Sequence, residues 1–334
     1  MIIVTGGSGF IGSNFILDWF DRFDEELINI DIMTYAANKD NLKDISKKDI
    51  YNFIQEDIYN YEEIFSILKK YKPRAIFNFA AESYVDKSIE GPDVFIKTNI
   101  NGTFNLLKAS NNYWHSLAED KKSSFKFVHI STDEVYGALS LHEPAFTEKN
   151  QYLPNSPYAA SKASSDHLVR CFNHTYSLPT IITNCSNNYG PHQHHEKLIP
   201  KIIKNALELN EIPIFGNGEQ IRDWLYVKDH VGAIITIFEK GVIGETYNIG
   251  GSNEKNNIEV VNHICRLLDE LSPVKSKKIK NYSQLIKFVA DRPGHDFRYA
   301  INSSKIRKQL KWVPKENFES GIKKTIKWYL KNNS

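Results

Sequence analysis

The chain has 334 residues, with 42 Lys and Arg against 40 Asp and Glu, 41% hydrophobic residues and three cysteines. That length holds one large domain or two of ordinary size, with ample apolar material for a core. The near balance of charge argues against nucleic acid as the main partner, which would show as a basic excess, and no apolar run reaches the roughly 20 residues needed to span a membrane.

Residues 2–4 read as a strand that begins at once, so no secretory leader is expected. A helix is predicted over 10–23, a strand over 27–30 ending at Asp31, and a third strand over 51–54 followed by Asp57. A helix over 61–70 and a strand over 75–79 come next, then Ala80-Ala81-Glu82-Ser83. A long helix is predicted over 93–117, a strand over 125–130, a helix over 158–176 and a strand over 180–184. This alternation predicts an α/β fold with a doubly wound parallel sheet of Rossmann type, which binds ligands beyond the carboxyl ends of its strands.

After about residue 187 the pattern loosens, with helices predicted over 197–209, 227–240, 258–271 and 318–330. The expected division is a dinucleotide-binding domain over 1–186 and a smaller lobe over 187–334, some segments of which return to the sheet. The lysine-rich stretch 275–280 reads as a solvated loop. Cys171, Cys185 and Cys265 are widely spaced and form no C-x-x-C, so neither a disulfide framework nor a zinc site is expected, and a reducing cytoplasm fits. The stretch His192-Gln193-His194-His195-Glu196 lacks a metal-ligand spacing and reads as a polar loop; no metal is expected.

Thr5-Gly6-Gly7-Ser8-Gly9-Phe10-Ile11-Gly12 follows the first strand and opens a helix. Gly7, Gly9 and Gly12 satisfy G-x-G-x-x-G, and Gly6, Gly9 and Gly12 satisfy the spacing of short-chain dehydrogenases. Glycine allows the tight turn and the close approach of backbone to a pyrophosphate, which the helix N-terminus then attracts. Asp31 stands where a carboxylate accepts the adenosine ribose hydroxyls and repels a 2′-phosphate, so NAD is expected over NADP. Asp57 is either near the adenine or a turn residue.

Tyr158 and Lys162 lie one helical turn apart on one face. An ammonium there would draw the tyrosine pKa down from about 10 and make it a base for a sugar hydroxyl. The fifth strand runs into Ser131-Thr132-Asp133-Glu134. Thr132 can hydrogen-bond a substrate hydroxyl. Asp133 and Glu134 are either an acid and base pair in different environments or a solvated strand end.

These motifs, with Asn187-Asn188-Tyr189-Gly190-Pro191, Arg222-Asp223-Trp224 and Asp291-Arg292-Pro293-Gly294-His295, occur in an order that resembles the dTDP-glucose 4,6-dehydratases among the extended short-chain dehydrogenases/reductases. The resemblance covers essentially the whole chain, and Thr-Asp-Glu is its discriminating part. Sugar-nucleotide 4-epimerases and related decarboxylases share the rest and lack the acid pair. A non-catalytic NAD-sensing scaffold would commonly lose the tyrosine or the lysine.

The resemblance implies a homodimeric hydro-lyase that turns dTDP-glucose into dTDP-4-dehydro-6-deoxyglucose, a precursor of rhamnose and other deoxysugars. Tyr158 would act at the 4-hydroxyl with Lys162, Glu134 would remove the C5 proton, and Asp133 would donate to the leaving 6-hydroxyl, with Thr132 completing the catalytic set. The cofactor positions carried over are Gly6, Gly9, Phe10, Ile11, Gly12, Asp31, Ile32, Thr34, Asp57, Ile58, Phe79, Ala80, Ala81, Ser83, Thr98 and Asn188, with Tyr158 and Lys162. The substrate positions are Ser83, Thr132, Asn187, Lys197, Leu198, Pro213, Ile214, Phe215, Arg222, Asn257, Asp291, Arg292, Pro293, Gly294 and His295. Arg222 suits the diphosphate because its planar donors can engage two oxygens. The sequence departs from the family at Ile32, Ala37 and Tyr84, where lysine, glycine and histidine are usual, and in a shorter loop after Gly137. The helices near 98–117 and 158–176 are expected to form the dimer, although Phe104, Leu107, Leu168 and Phe172 could equally be core.

Overall fold

A computed structural model describes residues 1–291 and 295–332. The first half supplies strands β1 (Ile2–Thr5), β2 (Leu27–Ile30), β3 (Tyr51–Ile54), β4 (Ala75–Asn78), β5 (Lys126–Thr132) and β6 (Thr180–Cys185). The second half supplies β7 (Asn187–Tyr189), β8 (Ile212–Phe215), β9 (Ile221–Tyr226), β10 (Thr246–Ile249), β11 (Glu254–Asn256), β12 (Ile286–Val289) and β13 (Arg298–Tyr299). The central sheet has seven strands in the order β3-β2-β1-β4-β5-β6-β10, and every neighbouring pair is parallel. This is the Rossmann-type α/β architecture expected. The strand order reverses at β1, which pairs with β2 on one side and β4 on the other, and the reversal opens the crevice that such sheets use for ligands.

Successive residues of a strand face opposite sides, and the core divides accordingly. Ile2 and Val4 face the helices Phe10–Arg22 and Val227–Lys240, where Phe15, Trp19 and Phe238 pack on Phe77. Ile3, Ile28 and Ile76 face the opposite layer, with Leu106, Leu107, Val169 and Phe172. A separate core in the second half joins Tyr189 and Trp224 to the helices Leu198–Leu207, Asn257–Leu271 and Phe318–Asn332. Asn256 and Glu259 form a capping box that fixes the start of the second of these helices.

Three differences from the sequence reading matter for the site. The long helix expected over 93–117 is α-helical at Asp93–Phe95, becomes a π-helix over Ile96–Gly102, and returns to α over Thr103–His115. The π segment lets Asn99 Oδ1 accept from Glu82 N at 2.8 Å while its amide donates to the Ser161 hydroxyl at 2.8 Å. Second, β5 runs on to Thr132, so Ser131 and Thr132 are strand residues. Third, the later segment that returns to the sheet is β10, whose last three residues, polar Asn248 among them, are buried.

Phe77 is completely buried, with its ring 4.6 Å from that of Phe15 and 5.0 Å from that of Phe238. Phe77→Ala is expected to lower stability by about 3–5 kcal/mol, read from the midpoint of urea unfolding.

Candidate active site

A cavity of about 380 Å³ opens at the reversal of strand order. Its floor is the glycine turn after β1. Gly6 has φ +70°, and a Cβ there would meet the Ala80 backbone nitrogen at 2.6 Å, so the turns after β1 and β4 touch through bare backbone. At Gly12 a Cβ would come within 2.3 Å of the Gly6 carbonyl oxygen. Gly7 behaves differently: a Cβ there would strike the Asn29 side chain at 2.3 Å, and Gly7 does not line the cavity. Of the two overlapping glycine patterns, Gly6, Gly9 and Gly12 is the one that faces the ligand space.

Asp31 follows β2 and is buried. Its Oδ2 accepts from the Ser8 backbone N–H at 2.9 Å and its Oδ1 from that of Met33 at 2.8 Å. Burial pushes its pKa up, and these two bonds oppose that rise. Asp31 thus ties the strand end to the glycine turn, with its carboxylate at the cavity wall. The bare-backbone cradle, the helix N-terminus and this carboxylate fit a dinucleotide. Every residue assigned to the cofactor from the sequence, from Gly6 to Asn188, lines this cavity, Asp57 included.

The acid pair, the tyrosine and the lysine lie along the same wall. Ser156 caps the helix Pro157–Tyr176 by accepting from Ala159 N at 3.1 Å, which fixes the start from which Tyr158 and Lys162 project. Thr132 Oγ1 donates to Asp133 Oδ1 at 3.4 Å and accepts from Glu134 N at 3.3 Å. Asp133 is 2% exposed. Burial, then the neighbouring Glu134 and Asp223 carboxylates, hold its pKa well above the usual carboxylate range against the pull of Arg222. Adjacent acids in unequal surroundings can carry opposite proton roles.

The expectation that Lys162 draws the Tyr158 pKa down is not met in the resting protein. Enclosure of the Tyr158 hydroxyl, then the Glu134 carboxylate, push its pKa well above 10. Lys162 Nζ instead donates to the Ile130 carbonyl at 2.8 Å and lies 3.4 Å from His129 Nε2. Burial draws the lysine pKa down, and Asp166 opposes that fall.

The positions assigned to substrate fall into two groups. Ser83, Thr132, Asn187 and Lys197 line the cavity, and Lys197 Nζ donates to the Ser83 carbonyl at 2.7 Å. Phe215, Asp291 and His295 meet in the second half, where Asp291 pairs with His295 at 2.6 Å and accepts from Gln220 Nε2 at 3.0 Å. Asn257 opens its helix beside them, its N–H donating to the Gln220 carbonyl at 3.1 Å. Pro213 and Phe215 flank Ile214 on β8, and the Ile214 side chain lies in the second core, so only its backbone can reach a ligand. Leu198 likewise packs on that core. Arg222 Nη1 and Nη2 donate to the Ile221, Phe297 and Asp296 carbonyls at 2.7, 3.3 and 2.9 Å, and the guanidinium stacks 4.3 Å from the Tyr299 ring. The expected bidentate fork is therefore engaged by backbone. Arg292, Pro293 and Gly294 lie outside the described residues.

Sequence reasoning passed over several cavity residues. Cys185, read only as an unpaired cysteine, is buried within electrostatic reach of Asp133 and Lys162. Glu82, quoted in a motif without a role, is a buried carboxyl whose pKa burial pushes up. Tyr84, singled out in the sequence as a departure from the family, stands near Lys87 and Lys197, whose ammonium groups each lie 5.6 Å from its ring. Among the described residues no cluster of three or more His, Cys, Asp or Glu side chains could hold a metal ion.

A parallel sheet with this glycine cradle at its first turn and a Tyr-x-x-x-Lys helix beside it defines an extended short-chain dehydrogenase/reductase. The family described as GDP-mannose 4,6 dehydratase matches residues 3–325. The dTDP-glucose 4,6-dehydratase of Escherichia coli is 55% identical over 339 residues, covering 99% of this chain and 94% of that protein. The crystal structure of the Bacillus anthracis dTDP-glucose 4,6-dehydratase in complex with NAD aligns with TM-score 0.86 and 44% identity, covering 99% of this chain and 97% of that one. The Streptomyces venezuelae dTDP-glucose 4,6-dehydratase, solved with NAD and TYD bound, aligns with TM-score 0.88 and 38% identity over 99% and 97% of the two chains. The chain belongs to the dTDP-glucose 4,6-dehydratase family.

The displaced pKa of Asp133 has a consequence for stability. A carboxyl whose folded pKa lies above its unfolded value adds stability only below the unfolded value, about 4, and that contribution is lost as pH rises through the folded pKa. Asp133→Asn is therefore expected to melt at a higher temperature than wild type near neutral pH. The gap should close as pH falls toward about 4, read by differential scanning calorimetry.

Proposed function

We propose that the protein is an NAD-dependent dTDP-glucose 4,6-dehydratase, a hydro-lyase producing dTDP-4-dehydro-6-deoxyglucose and water. The observation that carries this reading is the adjacent Asp133 and Glu134 beside Tyr158, with Asp133 buried and its pKa held high. Epimerases and decarboxylases of this fold have no use for such a pair. The close family relationship, and relatives solved with NAD and with TYD, support the cofactor and the nucleotide.

When bound, NAD accepts the hydride from C4 and returns it to C6. Gly6, Gly9 and Gly12 would cradle its diphosphate and Asp31 would hold its adenosine ribose. Tyr158 takes the proton of the 4-hydroxyl while Thr132 aligns that hydroxyl, and Lys162 supplies the positive charge the phenolate needs. The 4-keto group makes the C5 proton acidic. Glu134 removes it, and Asp133, holding its own proton at neutral pH, gives that proton to the leaving 6-hydroxyl so that water departs; as hydride reaches C6, a proton returns to C5. Residues 1–186 would serve the cofactor and 187–334 mainly the nucleotide sugar, with Arg222, Asp291 and His295 toward the nucleotide.

Incubation with dTDP-glucose is expected to give the alkali-induced absorbance of the 4-keto product. Turnover of a UDP- or CDP-sugar instead would sink the nucleotide assignment. In Asp133→Asn, C4 oxidation should persist while water loss slows. In Glu134→Gln, exchange of the C5 proton with solvent should fall, and normal exchange would refute the base assignment.

A homodimer fits the apolar surface of the helical span 93–115. Leu107 and Phe172 are core, whereas Val94, Ile96 and Phe104 are exposed, Phe104 by 41%. Analytical ultracentrifugation is expected to show twice the chain mass, and Phe104→Glu to shift the protein toward the monomer. A cytoplasmic location fits three cysteines that are all free, and no described helix is long and apolar enough to cross a membrane.

A further inference from the structure

The helix that carries Tyr158 and Lys162 carries a third ionisable side chain in the same register. Tyr158, Lys162 and Asp166 are spaced four residues apart, so they share one face. Asp166 is 1% exposed and Lys162 3%, and the chemistry above gives Asp166 no part.

Its surroundings are built to hold an anion. Asp166 Oδ2 accepts from Ser131 Oγ at 2.9 Å, Tyr152 OH at 3.1 Å and Asn184 Nδ2 at 3.1 Å. Three donors thus converge on one carboxyl oxygen. The other oxygen lies 3.4 Å from His129 Nε2, and that nitrogen lies 3.4 Å from Lys162 Nζ. The imidazole is fixed from its far side, with Nδ1 3.1 Å from the Asn78 amide nitrogen, while Asn78 Oδ1 accepts the Thr5 hydroxyl at 2.7 Å. Burial, then the Lys162 charge, push the His129 pKa down to about 4, so the ring is neutral at neutral pH, and with Nδ1 accepting from Asn78 its Nε2 carries the proton on the side of Asp166 and Lys162.

We propose that Asp166 is a positioning residue for Lys162, its buried carboxylate holding the lysine, across the neutral His129 ring, as a buried cation against the Ile130 carbonyl. A buried ammonium without a compensating anion loses its proton, and the lysine then offers Tyr158 no charge. Burial already draws the Lys162 pKa down, and Asp166 is the strongest influence opposing it. The groups that face Lys162 are His129 from β5, Cys185 from β6 and Asp166 from its own helix, and Tyr158 stands one helical turn before it. Asp133 and Glu134 face Tyr158 from the end of β5. The kinetic consequence rests on the dehydratase reading, whereas the charge of Lys162 does not.

Asp166→Asn keeps the shape and removes the charge. In NAD-loaded protein with isotopically labelled lysines, the ε-methylene signal lost in Lys162→Met reports this side chain. Its titration is expected to move down by about one pH unit or more in Asp166→Asn. Tyr152→Phe, which removes one donor from the carboxylate, should move it the same way by less. With dTDP-glucose, the acid limb of kcat should shift upward in Asp166→Asn because Tyr158 becomes harder to ionise, giving about a fivefold loss at the wild-type midpoint for a shift of about one pH unit. Loss of the anion acting directly on Tyr158 would shift that limb downward. An unmoved Lys162 titration, or a downward limb, overturns the proposal. Should Asp166→Asn fail to fold, Tyr152→Phe carries the same expectation. A wild-type protein that makes no product would defeat the dehydratase reading and leave the lysine titration to decide this one.

Discussion

A row of polar side chains crosses the buried central sheet, and the site depends on it. Thr5, Asn78 and His129 are in register on β1, β4 and β5, and Ser131, Asn184 and Asn248 are in register on β5, β6 and β10. A strand buried on both faces normally reads as continuously apolar, because each enclosed polar group must find a partner. Here the partners are one another and the helix Pro157–Tyr176. Thr5 holds Asn78, Asn78 meets His129, and Ser131 and Asn184 both donate to Asp166. Asn248 accepts the Tyr136 hydroxyl at 2.8 Å and donates to the Phe146 carbonyl at 3.0 Å. The row fixes how the catalytic helix lies on the sheet, and so where Lys162 and Tyr158 stand relative to the strand end that carries Asp133.

Burial displaces the site's ionisable groups away from their charged forms. It raises Asp133 and Tyr158 and lowers Lys162 and His129. For Asp133 this suits the task, since an acid that must hand over a proton near neutrality has to keep one. For Tyr158 it works against the task, since the base must lose its proton. Something must bring positive charge to the tyrosine, and Lys162 can do so only while protonated. Buried ion pairs seldom add net stability. Their value here lies in fixing a charge state where solvent cannot.

What the sequence made legible follows from how each feature encodes its geometry. The glycine turn was readable because backbone contact permits nothing larger than hydrogen at Gly6 and Gly12, and spacing alone states that. Tyr158 and Lys162 were readable because helical period places them on one face. Asp133 and Glu134 were readable because two acids are out of place at the end of a buried strand. Asp166 obeys the same period, yet nothing local reveals that β5 and β6 supply donors beneath it. His129 hid inside an apolar run. The π segment at Ile96–Gly102 has no propensity signature, and it exists because Asn99 must reach both Glu82 and Ser161. In the second half the resemblance supplied positions but not orientations, which is why Ile214 turns into the core and Arg222 is engaged by carbonyls.

The two halves meet across the mouth of the cavity, and the manner of meeting bears on how the cofactor is used. Lys87 Nζ lies 3.6 Å from the centre of the Tyr35 ring, and that ring meets His194 edge to face with centroids 5.8 Å apart. Lys197 reaches back from the second half to the Ser83 carbonyl. The Tyr35–His194 and Lys197–Ser83 contacts each join the half that holds the dinucleotide cradle to the half that would carry the nucleotide sugar. A dehydrogenase that releases reduced cofactor every cycle would have to break such contacts every cycle. A dehydratase reduces and reoxidises its cofactor within one turnover, so only the sugar nucleotide must come and go. Cross-links over the cradle are then compatible with fast turnover, and the glycine turn serves a resident catalyst rather than an exchanged co-substrate.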